Sequence, residues 1–196
     1  MKHAVILCHP DPNSYTHAVA EAYDKAVRAL GESVALRDLY SMGFDPRLPK
    51  SELPGAKAYA VGADVVAERA RLADVDVFVL IYPFWFNAPP GMLKGYVDRV
   101  FGLGFGYAAG PEGVQPALTG RRLVSITSSG APDKWLAKTG AVEGLRHYFD
   151  DHLAGVCGMT VVDHLHMGGI EPGITDEAVQ AALQSVAGAA WRWADG

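Results

Sequence analysis

Five times along the chain a short apolar run gives way to a stretch with helical spacing, and that alternation leaves few folds open. The first run is Lys2 to Cys8, with Ala4-Val5-Ile6-Leu7 at its centre. The clearest is Asp76-Val77-Phe78-Val79-Leu80-Ile81-Tyr82, which ends at Pro83. Val34 to Leu36, Arg121 to Ser128 and Thr160 to His166 complete the set. Runs that are continuous rather than alternating suit strands buried on both faces. Between the first two, Val19, Ala22, Tyr23, Ala26, Val27 and Leu30 repeat at helical spacing, and Gly31 follows as a C-cap. Further helices are expected over Asp64 to Leu72, Pro90 to Phe101, Gly140 to Leu153 and Asp176 to Trp193. Ser41 to Gly62 reads mostly as loop, and residues 102–119 as glycine-rich and irregular.

Such alternation implies an α/β fold, a parallel sheet with helices on both faces. Right-handed crossovers narrow it to doubly wound folds. Five strands favour the flavodoxin-like order 2-1-3-4-5 over the six-stranded dinucleotide-binding order. A chain of 196 residues suits one domain, residues 1–196, around one sizeable core. Ligands of doubly wound sheets bind beyond the carboxyl ends of the strands, so the loops after strands one, three and four are the ones to search.

The net charge of −5 argues against a nucleic-acid partner, which calls for a basic face. No stretch reaches the roughly 20 apolar residues of a membrane span. Met1-Lys2-His3 leads into only five apolar residues, so no signal peptide is expected and the location is expected to be cytoplasmic. Cys8 and Cys157 form neither a CxxC nor a zinc spacing, and Cys8 reads as a small buried hydrophobe. His164 and His166 share a strand face, but two ligands without a third favour polar packing, and no metal site is expected.

After the first strand comes His9-Pro10-Asp11-Pro12-Asn13-Ser14-Tyr15-Thr16, leading straight into a helix. A helix N-terminus offers free N–H groups to a phosphate, although a plain N-cap by Ser14 or Asn13 explains the loop equally well. No Walker-type or G-x-G-x-x-G fingerprint occurs there. After the third strand, Pro83-Phe84-Trp85-Phe86-Asn87 carries three successive aromatics. They suit a flat apolar ligand, a buried corner or a dimer contact. After the fourth, Thr127-Ser128-Ser129-Gly130-Ala131-Pro132 offers small residues whose amides can face a developing anion. All three loops fall at one end of the sheet. A flavin needs a phosphate cradle, an aromatic frame and backbone donors together.

With these residues in place, the chain resembles the flavodoxin-like NAD(P)H:quinone oxidoreductases. These include DT-diaphorase, its bacterial modulator-of-drug-activity relatives and the ancillary oxidoreductases of potassium efflux systems. The resemblance rests on His9 to Ser14, Asp38-Leu39-Tyr40, and Pro83 through Phe101 with the helix Pro90-Gly91-Met92-Leu93-Lys94-Gly95-Tyr96-Val97-Asp98-Arg99-Val100-Phe101. Ser125-Ile126-Thr127-Ser128-Ser129-Gly130 matches the family's strand-four loop, where Thr-Thr-Gly-Gly is commoner. The resemblance implies that Ser14, Tyr15 and Thr16 hold the flavin phosphate, with His9 nearby. It implies that Pro83, Phe84, Trp85, Phe86 and Asn87, with Thr127, Ser128, Ser129 and Gly130, frame the ring. It also implies a homodimer in which Asp98 and Tyr107 reach the partner's site. FAD is the implied cofactor, FMN its alternative, and NAD(P)H the donor.

The expected cycle is ping-pong: a hydride passes from NAD(P)H to the flavin, the nicotinamide leaves, and two electrons pass to a quinone or another small electrophilic acceptor. Ser129 and Gly130 would stabilise charge through their amides. The family's best-known members place a tyrosine and a histidine after the strand-four loop to assist proton movement. By spacing this chain has Trp135 and Ala141 there, and an indole can stack and donate but cannot relay a proton. Lys134 reads as a solvated loop lysine. Other readings are a flavodoxin-type electron carrier and a flavin-binding regulatory subunit of a transporter.

Overall fold

A computed structural model describes residues 1–111 and 113–194. In chain order the elements are β1 (Lys2–Leu7), α1 (Tyr15–Ala29), β2 (Ser33–Asp38), α2 (Ala63–Leu72), β3 (Val77–Pro83), α3 (Gly91–Val100), β4 (Tyr107–Gly110) and β5 (Gly113–Pro116). There follow β6 (Arg122–Ser128), α4 (Asp133–Thr139), α5 (Ala141–Leu145), a π-helical segment (Arg146–Asp151), α6 (His152–Cys157), β7 (Thr160–Met167) and α7 (Asp176–Ala194). The main sheet has five strands in the order β2-β1-β3-β6-β7, each neighbouring pair parallel. With β4 and β5 set aside as a separate antiparallel hairpin, this is the expected 2-1-3-4-5 order. No helix among the described residues is long and apolar enough to cross a membrane.

The continuous apolar runs divide by strand period between two cores. From β1 and β3, Ala4, Ile6, Phe78, Leu80 and Tyr82 join one cluster with Tyr96, Phe101 and Phe149. Val5, Leu7, Val79 and Ile81 face the other way, against Val19, Tyr23 and Val27 of α1 and Val186, Ala190 and Trp193 of α7. Both cysteines are buried and free.

Two expectations are corrected. The irregular stretch 102–119 contains the β4–β5 hairpin. The single helix expected from Gly140 to Leu153 is divided. Gly140, at φ 65, ends an unforeseen α4 and begins α5, and the π-helical turn then shifts the register before α6. The Ser41–Gly62 loop is clamped to the sheet's flank by Arg99. Its guanidinium donates to Glu52 at 2.8 and 3.0 Å, to Asp64 at 2.7 and 3.0 Å and to the Asp45 carbonyl at 2.6 Å, over the Phe44 ring. Gly95 of α3 lets the loop approach closely, since a Cβ there would stand 2.1 Å from the Pro46 carbonyl oxygen.

Candidate functional site

The three loops converge at the carboxyl end of the sheet. In the first, Asp11 accepts from the Asn13 amide at 2.9 Å, and its carbonyl accepts from the Ser14 amide at 3.1 Å. This winds the chain into α1. Ser14 is the N-cap, its Oγ accepting from the His17 amide. The same Oγ meets His17 Nδ1 at 2.9 Å, and His17 Nε2 lies 3.2 Å from Asp38 Oδ2. This cap uses the third amide of the helix, and those of Tyr15 and Thr16 have no protein acceptor among the described residues. Their side chains serve the fold instead. Thr16 is buried, and the Tyr15 hydroxyl donates to Met167 Sδ at 3.0 Å. Burial pushes the Tyr15 phenol up to about 12.

The aromatic loop divides its rings. Phe84 is buried, its amide donating to the Ser128 carbonyl at 2.7 Å and its ring meeting His166 edge-on at 5.8 Å. The Trp85 amide donates to the Ala88 carbonyl at 3.2 Å, and the Ala88 amide returns a bond at 3.0 Å. Phe86 and Asn87 form the two-residue turn between them, with φ of 49° and 56°. Two left-handed residues mark a type I′ turn, which glycine and asparagine favour. For phenylalanine the conformation costs about 1–2 kcal/mol, and its ring is fully exposed. Trp85 is half-exposed, 5.7 Å from the His9 ring, which joins this loop to the first. Of the three aromatics expected to frame a ligand, two are available to do so, and Phe84 is the buried foot of the loop.

In the third loop the Ser129 amide donates to the Met167 carbonyl at 3.0 Å, prolonging the β6–β7 ladder. The amide expected to face a ligand is therefore committed to the sheet. Gly130 keeps its amide without a protein acceptor among the described residues. A Cβ on Gly130 would meet nothing closer than 3.6 Å, so the fold does not require glycine there. Thr127 and Ser128 are buried, and the half-exposed Trp135 lies in the first turn of α4.

Asp98 and Tyr107 do not join the three loops. Asp98 pairs with Lys94 at 2.6 Å, and with Tyr107 it lines a cavity of about 340 Å³ beside Phe101 and Phe149. Lys94 is shared with a second cavity, of about 460 Å³, lined by Asn87, Pro89, Leu145 and Tyr148. The flank of α3 is thus concave from the aromatic loop to the hairpin.

Behind the third loop lies a row of side chains that sequence reasoning did not assemble. Ser125 Oγ donates to Asp150 Oδ1 at 2.8 Å, and Asp150 Oδ2 lies 2.5 Å from His164 Nδ1. Thr127 Oγ1 lies 2.8 Å from both His164 Nε2 and His166 Nδ1, and His166 Nε2 is 3.0 Å from Ser129 Oγ. All four imidazole nitrogens have protein partners, so the pair packs as polar residues. The shared face of the histidines was legible; Asp150 had no sequence signal, because the π-helical turn sets its direction.

A family model described as a flavodoxin-like fold matches residues 1–189. An uncharacterized NAD(P)H oxidoreductase of Haemophilus influenzae is 29% identical over 188 residues, covering 95% of this chain and 93% of that protein. NAD(P)H dehydrogenase (quinone) 1 of Cavia porcellus is 28% identical over 152 residues, 68% of this chain and 55% of that enzyme. Among solved structures, an NAD(P)H:quinone oxidoreductase from Methanothermobacter marburgensis superposes with a TM-score of 0.83 at 28% identity, covering 97% of this chain and 95% of the other.

Proposed function

The chain belongs to the flavodoxin-like family matched over residues 1–189, and we propose that it is an NAD(P)H-dependent flavoprotein that passes two electrons to a quinone or a similar small acceptor. The observation that carries this reading is the junction of three loops at one sheet end, through the His9–Trp85 contact and the bond from the Phe84 amide to the Ser128 carbonyl. The residues fit a flavin. Two free amides at the start of α1 suit a phosphate, exposed Trp85 and Phe86 suit a flat ring, and the Gly130 amide suits a developing negative charge. When bound, the flavin supplies the two-electron chemistry.

The protein's part is to hold and to exclude. Tyr15 and Thr16 bind through backbone, with the Ser14 cap fixing the turn. Trp85 and Phe86 cover one side of the site and keep water from it. The three loops serve the ring and the first phosphate, which FAD and FMN share, and FAD is the form the family resemblance favours. We place a two-fold contact along α3. Exposed Tyr148 lines one of its cavities, and a partner copy would cover that ring and bring Asp98 and Tyr107 toward the second site.

The purified protein is expected to be yellow, to bleach under anaerobic NADH or NADPH, and to regain colour on adding a quinone. Mass spectrometry of the acid-released cofactor separates FAD from FMN, and light scattering of the same sample reads the dimer. Failure of the apo protein to take up either flavin would end this reading. A narrower test is Gly130→Ala. Its Cβ has room, so stability should change by no more than about 0.5 kcal/mol. Flavin affinity should fall several-fold as the methyl holds the ligand away from the amide. Unchanged affinity would remove Gly130 from the site.

A further inference from the structure

The hydrogen-bonded row behind the third loop has two ways of being filled. Asp150, when ionised, only accepts, so His164 Nδ1 carries a hydrogen. With His164 neutral, its bare Nε2 accepts from the Thr127 hydroxyl. Thr127 then accepts from His166 Nδ1–H, and bare His166 Nε2 accepts from the Ser129 hydroxyl. With a second proton on His164, every bond beyond it reverses. His164 donates to Thr127, Thr127 donates to His166 Nδ1, and His166 Nε2–H donates to Ser129. The Ser129 hydroxyl is then turned outward, with only a long 3.5 Å contact to the Ala131 carbonyl in the protein. The two arrangements differ by one proton.

We propose that Ser129, His166, Thr127, His164 and Asp150 form a one-proton store that serves the three-loop site and is filled and emptied through Ser129. This rests on the reading of that site as the place where a quinone-type acceptor is reduced. The far end is closed. Ser125 and Asp150 have no exposed surface. Beside them the Tyr82 hydroxyl is buried without a hydrogen-bond partner among the described residues, and burial keeps its proton on. At the other end Ser129, at the rim, and His166 behind it are partly exposed, and Ser129 is the last member of the row.

The charged groups around the row place the extra proton on His164. The Asp150 carboxylate faces it directly, and Asp163 on the same strand accepts from its backbone amide and from the Trp193 indole. His166 is held neutral, pushed down to about 4 by burial and then by His164, against a smaller opposing pull from Asp133. His166 therefore changes tautomer rather than charge.

The chemistry balances. Turning a quinone into a hydroquinone takes one hydride, which originates in the C–H bond of the reduced nicotinamide, and one proton. The hydride brings both electrons, and none pass through the row. The Ser129 O–H bond breaks as an O–H bond forms on the acceptor oxygen. Ser129 takes the hydrogen of His166 Nε2, His166 Nδ1 takes that of Thr127, and Thr127 takes that of His164 Nε2. His164 ends neutral, and solvent reloads it through Ser129. Trp135, half-exposed in the first turn of α4, cannot supply this proton from its indole. Ser129 touches the acceptor, whereas His166, Thr127, His164 and Asp150 act through it.

The test is nitrogen NMR of the full-length protein, as purified, with isotopically labelled histidine, titrated from pH 5 to 10. The expected result is that His164 gains its second proton as pH falls while His166 stays neutral and moves its hydrogen from Nδ1 to Nε2 over the same range. Thr127→Val should abolish that tautomer change and leave the titration of His164 in place. Ser129→Ala, outside the coupling step, should keep the change and serves if the valine variant fails to fold. A His166 that holds one tautomer throughout, a His166 that takes the charge itself, or a His164 that never changes state would each overturn the store. The nitrogen readout needs no flavin, so a protein that binds none defeats the functional reading without deciding this one.

Discussion

Arg99→Met is expected to destabilise the protein by about 3–5 kcal/mol, the cost of leaving a buried charge without its partner. Typical domains hold only about 5–15 kcal/mol in total. The Arg99 side chain is 5% exposed and that of Glu52 4%, so methionine would fill the space and strand the carboxylate. The size of the loss should depend on pH. Arg99 holds Glu52 and Asp64 below the usual carboxylate range. A depressed folded value means a contribution that is full above the unfolded value of about 4.3 for glutamate, and is lost as pH falls through the folded one. In the variant, burial without the cation favours the protonated acid, so its deficit should be largest near neutrality and shrink below about pH 4. Arg99→Met with Glu52→Gln should recover much of the loss, since a neutral amide no longer needs the cation. Urea unfolding at pH 7 and pH 4 measures all of this. An equal deficit at both values, or one under about 1 kcal/mol, would show that the clamp contributes little to the fold.

The clamp also shows why parts of this architecture were legible in sequence and parts were not. The strands were legible because a strand buried on both faces must be apolar at every position, and Val77–Pro83 is buried throughout. The β4–β5 hairpin carries no such mark. It lies apart from the main sheet with every residue of its second strand exposed, so neither alternation nor a continuous run was imposed on it. The Arg99 clamp joins residues 47 apart, a distance at which local spacing is silent.

The same limit acts within the site. Ser14 was readable as a cap by residue type and position alone. Whether the Ser129 amide is free depends on β7 running far enough for the Met167 carbonyl to take it, which is a property of the sheet. The spacing of His164 and His166 puts them on one face. Their joining through Thr127 to Asp150 depends on a neighbouring strand and on a π-helical turn, and neither leaves a periodic trace.

Phe86→Gly is expected to separate folding from function, because at this residue the two pull in opposite directions. Phe86 sits at φ 49 with its ring fully exposed, so the folded chain bears the strain and gains no contact from the ring. Relief of a left-handed non-glycine residue is worth about 1–2 kcal/mol. The entropy glycine loses on folding offsets about 0.5–1 kcal/mol of that. Thermal stability of the flavin-free protein should therefore be unchanged or slightly raised. If the ring covers a bound flavin, its loss removes burial worth about 1.5–3 kcal/mol. At about 2 kcal/mol the flavin dissociation constant should rise roughly thirtyfold, since each 1.4 kcal/mol is a factor of ten. Phe86→Tyr, which keeps the ring and the strain, should bind as the parent does. Trp85→Phe should lie between them, since it keeps most of the bulk next to His9. Flavin affinity by fluorescence, set against melting of the apo proteins, reads both quantities on one set of variants. A glycine variant that melts lower and binds flavin as before would mean that the exposed ring stabilises the fold through some contact of its own. The aromatic loop would then lose its place in the site.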